Sequence, residues 1–190
     1  MARPGRTSDE HHIRDLLYRA AREERRLEPA DAVLLLREAS TLELGAAASL
    51  LRDRLHGEGE VTFIVDRNVN YTNVCVSRCR FCAFFRDADD EEAYVLAIED
   101  LFAKVEETLD LGGTAILLQG GLHPDLGLEW YEGMLSEIKA RYPIHVHGFG
   151  PLEIVHISRL SGVPTREVLE RLRNAGLDSL PGGGAEILVD

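Results

Sequence analysis

Apolar residues recur at helical spacing early in the chain: Ile13, Leu16 and Leu17, then Ala32, Leu35 and Leu36, then Leu44, Ala48, Leu51 and Leu55. The spacing predicts three short helices before Gly57-Glu58-Gly59, with Asp31 and Thr41 as helix starts and Gly57 as a stop. After Glu60 short β-rich runs alternate with amphipathic stretches. Val61-Thr62-Phe63-Ile64-Val65 opens the series, and Asn68 to Thr72 continues it with polar residues at every second position. Ile98, Leu101, Phe102, Val105 and Leu109 form a helical stripe ending at Gly112-Gly113. Thr114 to Gln119 reads as a buried strand, Glu129 to Arg141 as a helix, and Ile144 to His147 as a strand. A further helix runs from Pro164 to Gly176, with Asp178-Ser179-Leu180 as a fourth strand.

Strand and helix in alternation predict βαβ units on a parallel sheet. A doubly wound sheet and a barrel both satisfy that pattern. The polar and glycine clusters at the strand ends favour a barrel with its site at the C-terminal mouth. The expected organisation is a helical segment, residues 1–59, followed by the first four β/α units of a truncated TIM-like barrel, residues 60–190.

Charge narrows the partners. Asp and Glu number 33 against 21 Lys and Arg, a formal net charge of −12, which disfavours phosphate backbones and anionic lipid. The expectation is no nucleic acid and no membrane. The start of the chain lacks the apolar stretch of a secretory signal, and no run is long enough to span a bilayer. All three cysteines lie between positions 75 and 82, so there is no disulfide framework and the expected setting is cytoplasmic.

Cys75, Cys79 and Cys82 place three thiols in one loop after a strand. At this spacing they can bind three irons of a 4Fe–4S cubane and leave the fourth without a protein ligand, where S-adenosylmethionine (SAM) can chelate. A zinc site or a redox-sensing cysteine module is the non-enzyme alternative, and closed zinc needs a fourth ligand. Neither His56 nor His123 has finger-like spacing to the triplet.

Several segments resemble the radical SAM enzymes of menaquinone and deazaflavin biosynthesis. They are Asn70-Tyr71-Thr72-Asn73-Val74-Cys75, Cys82-Ala83-Phe84-Phe85-Arg86, Ala93-Tyr94-Val95-Leu96, Leu118-Gln119-Gly120-Gly121-Leu122, His145-Val146-His147 and the run from Ala175 to Leu188. Gly182-Gly183-Gly184 followed by Glu186-Ile187-Leu188 resembles most the branch that cyclises dehypoxanthine futalosine. Aminofutalosine synthase and the deazaflavin (FO) synthases share much of the pattern. The resemblance implies a cluster, SAM, an external one-electron reductant and a small-molecule substrate. Where Ser-Phe-Ser-Pro-Pro-Glu is expected, this chain reads Gly148-Phe149-Gly150-Pro151-Leu152-Glu153.

By the same resemblance, Phe81, Gln119, Gly120, Gly121 and Glu153 are expected at the cofactor. Phe81 would lie beside the adenine, and the glycines would let backbone approach the amino end of SAM, since a Cβ would hold it away. Read from the residues alone, Phe81 is ordinary packing, Gln119-Gly120-Gly121 a tight turn, and Glu153 and Glu186 surface charges. His145 and His147, two apart on one strand, share a face that points into the barrel, either as satisfied core histidines or as substrate contacts. Asn70, His145, His147, Gly183 and Glu186 are the substrate candidates. Arg86 and the acidic run Asp87 to Glu92 read as a solvated loop, and no catalytic acid or base is assigned.

Overall fold

The computed structural model describes residues 6–23, 26–57 and 59–182. Gly183 and Glu186 lie outside the described residues. The chain divides into two compact units, residues 1–62 and 63–190.

The first unit holds α1 (Arg6–Arg22), α2 (Pro29–Glu38) and α3 (Thr41–Leu55). Ile13, Leu16 and Leu17 of α1 bury against Leu35 of α2 in a small core, which is where their helical spacing directs them. Asp31 sits in the first turn of α2, which begins two residues earlier with Pro29 at its start. The cap of α3 is Ser40, whose hydroxyl accepts from Glu43 N–H while Glu43 returns to Ser40 N–H. That capping box satisfies donors that helix geometry leaves orphaned.

In the second unit a parallel sheet of order β1-β2-β3 forms from β1 (Asp66–Asn70), β2 (Ala115–Gln119) and β3 (His145–Gly148). The expected strand Val61–Val65 is not one. Asp66 pairs with Ala115, the first residue of β2, so the residues before it have no opposing strand. Phe63 and Ile64 are exposed. Between and after the strands come α4 (Ile98–Asp110), α5 (Leu128–Arg141), α6 (Pro151–Ser161) and α7 (Thr165–Ala175). Alternate strand residues Val69, Ile116, Leu118 and Val146 are buried with Leu101, Val105, Leu135, Ile138, Val168 and Leu172 of the helices. The central strand β2 is almost wholly apolar, as a strand flanked on both edges requires.

Two features depart from the expected order. Helix α6 occupies the stretch after β3, where the sequence pattern predicts no element. The fourth strand reduces, among the described residues, to one parallel bridge between His147 and Ser179, supported by Gly148 N–H donating to Ser179 O at 2.9 Å. No helix among the described residues is long and apolar enough to cross a membrane.

Candidate functional site

The cysteine loop hangs from the end of β1. Tyr71 N–H donates to Gln119 O at 3.2 Å, and the chain then continues through Thr72 and Asn73, both buried. Each of these polar residues has a backbone partner. Thr72 Oγ1 donates to Tyr94 O at 2.5 Å and accepts from Val74 N–H at 3.1 Å. Asn73 donates to Glu92 O and accepts from Tyr94 N–H, each at 2.8 Å, so one amide side chain serves both edges of the returning segment. Cys75 N–H donates to Arg86 O at 3.1 Å, and Arg86 N–H to Asn73 O at 2.8 Å. A mini-pairing thus closes the loop at its base.

Arg86 and its acidic followers are therefore not merely a solvated loop. The Arg86 guanidinium donates to Glu92 Oε2 at 2.7 Å, to Phe85 O at 2.9 Å and to Ala83 O at 3.2 Å. Arg78, in a left-handed conformation at φ 47°, donates to Asp87 at 2.8 Å. Arg78, between the first two thiols, and Arg86, after the third, both tie the loop to the acidic segment that follows it.

Cys75, Cys79 and Cys82 are free thiols, all half-buried. Cys82 N–H donates to Cys79 O at 3.0 Å, and Ser77 Oγ lies 3.3 Å from Cys79 Sγ. Among the described residues no three His, Cys, Asp or Glu side chains gather tightly enough for a single metal ion. A cubane makes no such demand, because each thiolate binds a different iron. The donor set, three unpaired thiols on one short loop, fits a cluster better than four-ligand zinc. Phe81 is 92% exposed, so its ring is not used in packing.

The turn after β2 meets this loop from the side. Gly121 N–H donates to Thr72 O at 2.9 Å, and Val76 N–H to Leu122 O at 3.0 Å. A Cβ on Gly121 would stand 2.1 Å from Val74 O and 2.9 Å from Cys75 Cβ, while one on Gly120 would stand 2.5 Å from the Tyr71 ring. The physical reason for glycine is thus close approach to the cysteine loop and to Tyr71.

Glu153 is buried at the start of α6. Its Oε1 accepts from Tyr71 O–H at 2.7 Å and Gly120 N–H at 3.1 Å, and its Oε2 from Gly150 N–H at 2.6 Å. Burial raises its pKa above the ordinary carboxylate value despite these three donors. Burial, and then the Glu153 charge, push the Tyr71 phenol well above its usual range. The Tyr71 ring packs edge-on against Tyr131 and Phe149 and is tilted against Trp130. Phe149 is itself buried and left-handed at φ 59°, a conformation bulky residues adopt rarely. Glu153 is therefore a buried anchor among protein groups. The sequence held a signal for this: Gly150-Pro151-x-Glu153 has the spacing of a helix start at which the carboxylate reaches back to the Gly150 N–H.

On the sheet face away from the helices, Asn70 accepts from Asn68 Nδ2 at 3.1 Å and donates to Gln119 O at 3.3 Å. Gln119, half-buried, ends β2 beside it. His145 and His147 do share one face, and between them lies the hydroxyl of Ser179, which the sequence reading passed over.

Comparisons with known proteins agree with this geometry. The chain is 47% identical over 179 residues to the cyclic dehypoxanthine futalosine synthase of Halalkalibacterium halodurans, covering 94% of this chain and 48% of that protein. It is 50% identical over 142 residues to the 5-amino-6-(D-ribitylamino)uracil–L-tyrosine 4-hydroxyphenyl transferase of Methanopyrus kandleri, covering 74% of this chain and 38% of that protein. The chain thus spans about half the length, or less, of these curated relatives. In fold it is similar to HydG, a maturase of the FeFe-hydrogenase, with a TM-score of 0.55 at 16% identity, over 91% of this chain and 46% of that one. That likeness makes the parallel sheet and its helices part of a TIM-like barrel. The radical SAM superfamily pattern matches residues 69–184, a stretch that takes in the cysteine loop, the Gly120-Gly121 turn and both histidines, and the chain belongs to that superfamily.

Proposed function

We propose that the chain is the cluster-bearing part of a radical SAM enzyme that cyclises dehypoxanthine futalosine. The observation that carries the reading is the loop of free thiols at Cys75, Cys79 and Cys82, fastened by its base to the ends of β1 and β2. Those three residues would hold a 4Fe–4S cluster. Together with SAM and a one-electron reductant, the cluster supplies a 5′-deoxyadenosyl radical, able to take a hydrogen atom from the substrate ribose. Phe81, exposed on the loop, offers a face for the adenine, and Gln119, Gly120 and Gly121 set the distance between the β2 turn and the cysteine loop. Glu153 acts on that turn through Gly120 N–H. Asn70, His145 and His147 present polar groups where a sugar would lie, and Gly183 and Glu186 are further substrate candidates. Ring closure then removes one proton from the joined aromatic ring, and one electron passes to the one-electron carrier. The setting proposed is cytoplasmic, with neither nucleic acid nor membrane as partner.

Similarity along most of the chain to the Halalkalibacterium synthase favours the cyclase. The Methanopyrus transferase supports a second reading, in which a hydroxyphenyl group from tyrosine is joined to a ribitylaminouracil. Anaerobic reconstitution tests the common part: about four irons and four sulfides per chain, lost in Cys75→Ala, Cys79→Ala or Cys82→Ala, are expected, and one zinc without sulfide would overturn it. Fusing the chain to the remaining half of the Halalkalibacterium relative tests the substrate. Cyclised product from dehypoxanthine futalosine supports the proposal, and coupling of tyrosine to the ribitylaminouracil replaces it with the second reading.

A further inference from the structure

Four polar side chains form a continuous line along the edge of the sheet. Ser179 Oγ stands 2.7 Å from His145 Nε2 and 2.7 Å from His147 Nδ1. The two rings reach it because they lie two residues apart on β3, and the bridge between His147 and Ser179 brings the hydroxyl alongside. At one end of the line, Asp178 Oδ2 accepts from Val146 N–H at 2.7 Å and from Lys139 Nζ at 2.8 Å, and it lies 3.9 Å from His145 Nδ1.

A hydroxyl carries one hydrogen. Of two ring nitrogens that both touch it, only one can accept that hydrogen, and the other must present its own N–H to the oxygen. With both rings neutral, three arrangements satisfy the line: the hydroxyl donates to one ring and accepts from the other, in either sense, or it accepts from both; only the one in which it donates to His145 leaves His145 Nε2 bare. Asp178 decides among them. Burial opposes ionisation of this carboxyl, but the donors from Lys139 and Val146, with the charge of Lys139, hold its pKa below the usual range. A carboxylate 3.9 Å from His145 Nδ1 is too far for a hydrogen bond, yet its charge attracts an N–H there and repels a lone pair. His145 then carries its proton on Nδ1 and leaves Nε2 to accept the Ser179 O–H. The Ser179 oxygen accepts from His147 Nδ1–H. The lone pair of His147 is left on Nε2, which has no hydrogen-bond partner among the described residues.

We propose that His147 is the general base of the barrel lumen, with Nε2 as the atom that takes the proton, and that Ser179, His145 and Asp178 are positioning residues that fix its tautomer. This rests on the cyclase reading for the identity of the proton, which is the one lost from the aromatic ring on closure. The ring C–H bond breaks, its electron pair stays on the substrate, and an N–H bond forms at Nε2. The resulting imidazolium keeps its Nδ1–H on Ser179, so the positive charge stays on the His147 ring and is held there by the hydroxyl oxygen that accepts from it.

The tautomer is testable without substrate or cluster. Nitrogen-15 NMR of the histidine rings in the unloaded chain, at a pH where both are neutral, is expected to show His147 protonated on Nδ1 and bare on Nε2. Ser179→Ala is expected to release that preference toward the commoner Nε2–H form, and Ser179→Thr to restore it, with the backbone amide spectrum unchanged in both. A wild-type His147 protonated on Nε2, or a tautomer indifferent to Ser179→Ala, overturns the inference. In the loaded fusion, His147→Gln is expected to lower product formation by ~10²-fold, the usual loss when a general base is removed, while 5′-deoxyadenosine still forms. Loss of deoxyadenosine along with product would instead place His147 in cofactor binding and refute the assignment. If dehypoxanthine futalosine proves not to be the substrate, the NMR result still stands or falls by itself.

Discussion

Replacing Glu153 by glutamine keeps the shape of a buried side chain and removes its charge, which isolates the role of that carboxylate. Both oxygens of Glu153 accept: Oε1 takes Tyr71 O–H and Gly120 N–H, and Oε2 takes Gly150 N–H. A glutamine has only one acceptor oxygen, so its amide nitrogen must face either Gly120 N–H or Gly150 N–H, and one backbone donor loses its partner. Leaving such a donor buried costs about 1–3 kcal/mol, and Glu153→Gln is expected to destabilise the second unit by about 2 kcal/mol at neutral pH. The pH dependence adds a sharper test. The folded pKa of Glu153 is raised from 4.5 by burial, so in the window just above 4.5 the native state holds a proton that the unfolded chain has released. Wild-type stability from this group is fully present below the unfolded value and declines as pH rises through the folded one. Glutamine has no such proton. The stability gap between wild type and Glu153→Gln is therefore expected to widen as pH falls from 7 toward 4.5. Urea unfolding at several pH values measures it, followed by the fluorescence of Trp130, the chain's one tryptophan, whose ring centroid lies 5.7 Å from that of Tyr71. A gap that stays constant or narrows toward acid would refute the reasoning.

Two further substitutions probe the cysteine loop. Gly121→Ala puts a Cβ against the backbone at Val74, which no side-chain rotation relieves; a loss of about 1–3 kcal/mol is expected, with poor iron incorporation, and normal loading with unchanged melting would refute the close-approach role. Arg86→Gln removes the bonds to Glu92 and to the Ala83 and Phe85 carbonyls, and is expected to speed iron release to a chelator while leaving the melting temperature of the unloaded chain unchanged.

Local patterns carried far in this sequence where a single element decides the outcome. Ile98, Leu101, Phe102 and Val105 recur every third or fourth residue and make α4, whose inner residues are buried. The cysteine spacing is likewise a property of one loop. Val61–Val65 shows the limit, since it has β composition but no partner strand, and a strand needs its neighbour's carbonyls and amides as much as its own side chains. Helix α6 was hidden by the glycines and proline at its start, which read equally as a turn. In the site, Tyr71 and Glu153 are 82 residues apart, and Ser179 is 34 and 32 residues from the histidines it joins. Such contacts are made by the register of the sheet, so nothing in the neighbourhood of either partner announces them. Arg86 shows the same limit: the run after it is largely exposed, as its charges predict, but the bonds that Arg86 makes to Glu92 and to the Ala83 and Phe85 carbonyls exist only once the returning chain is in place.

Tyr71 stands at the end of β1, Gly120 at the end of β2, and Gly150 just beyond β3. The two oxygens of one carboxylate hold all three. Each of these ends can lift only by giving up a bond to that shared, buried carboxylate, and the donor it frees would be left without a partner, which couples the three ends. A cluster and a radical placed there would experience walls that fluctuate together. The loops that leave the three strand ends then start from points held by one shared joint and not from three independent ones.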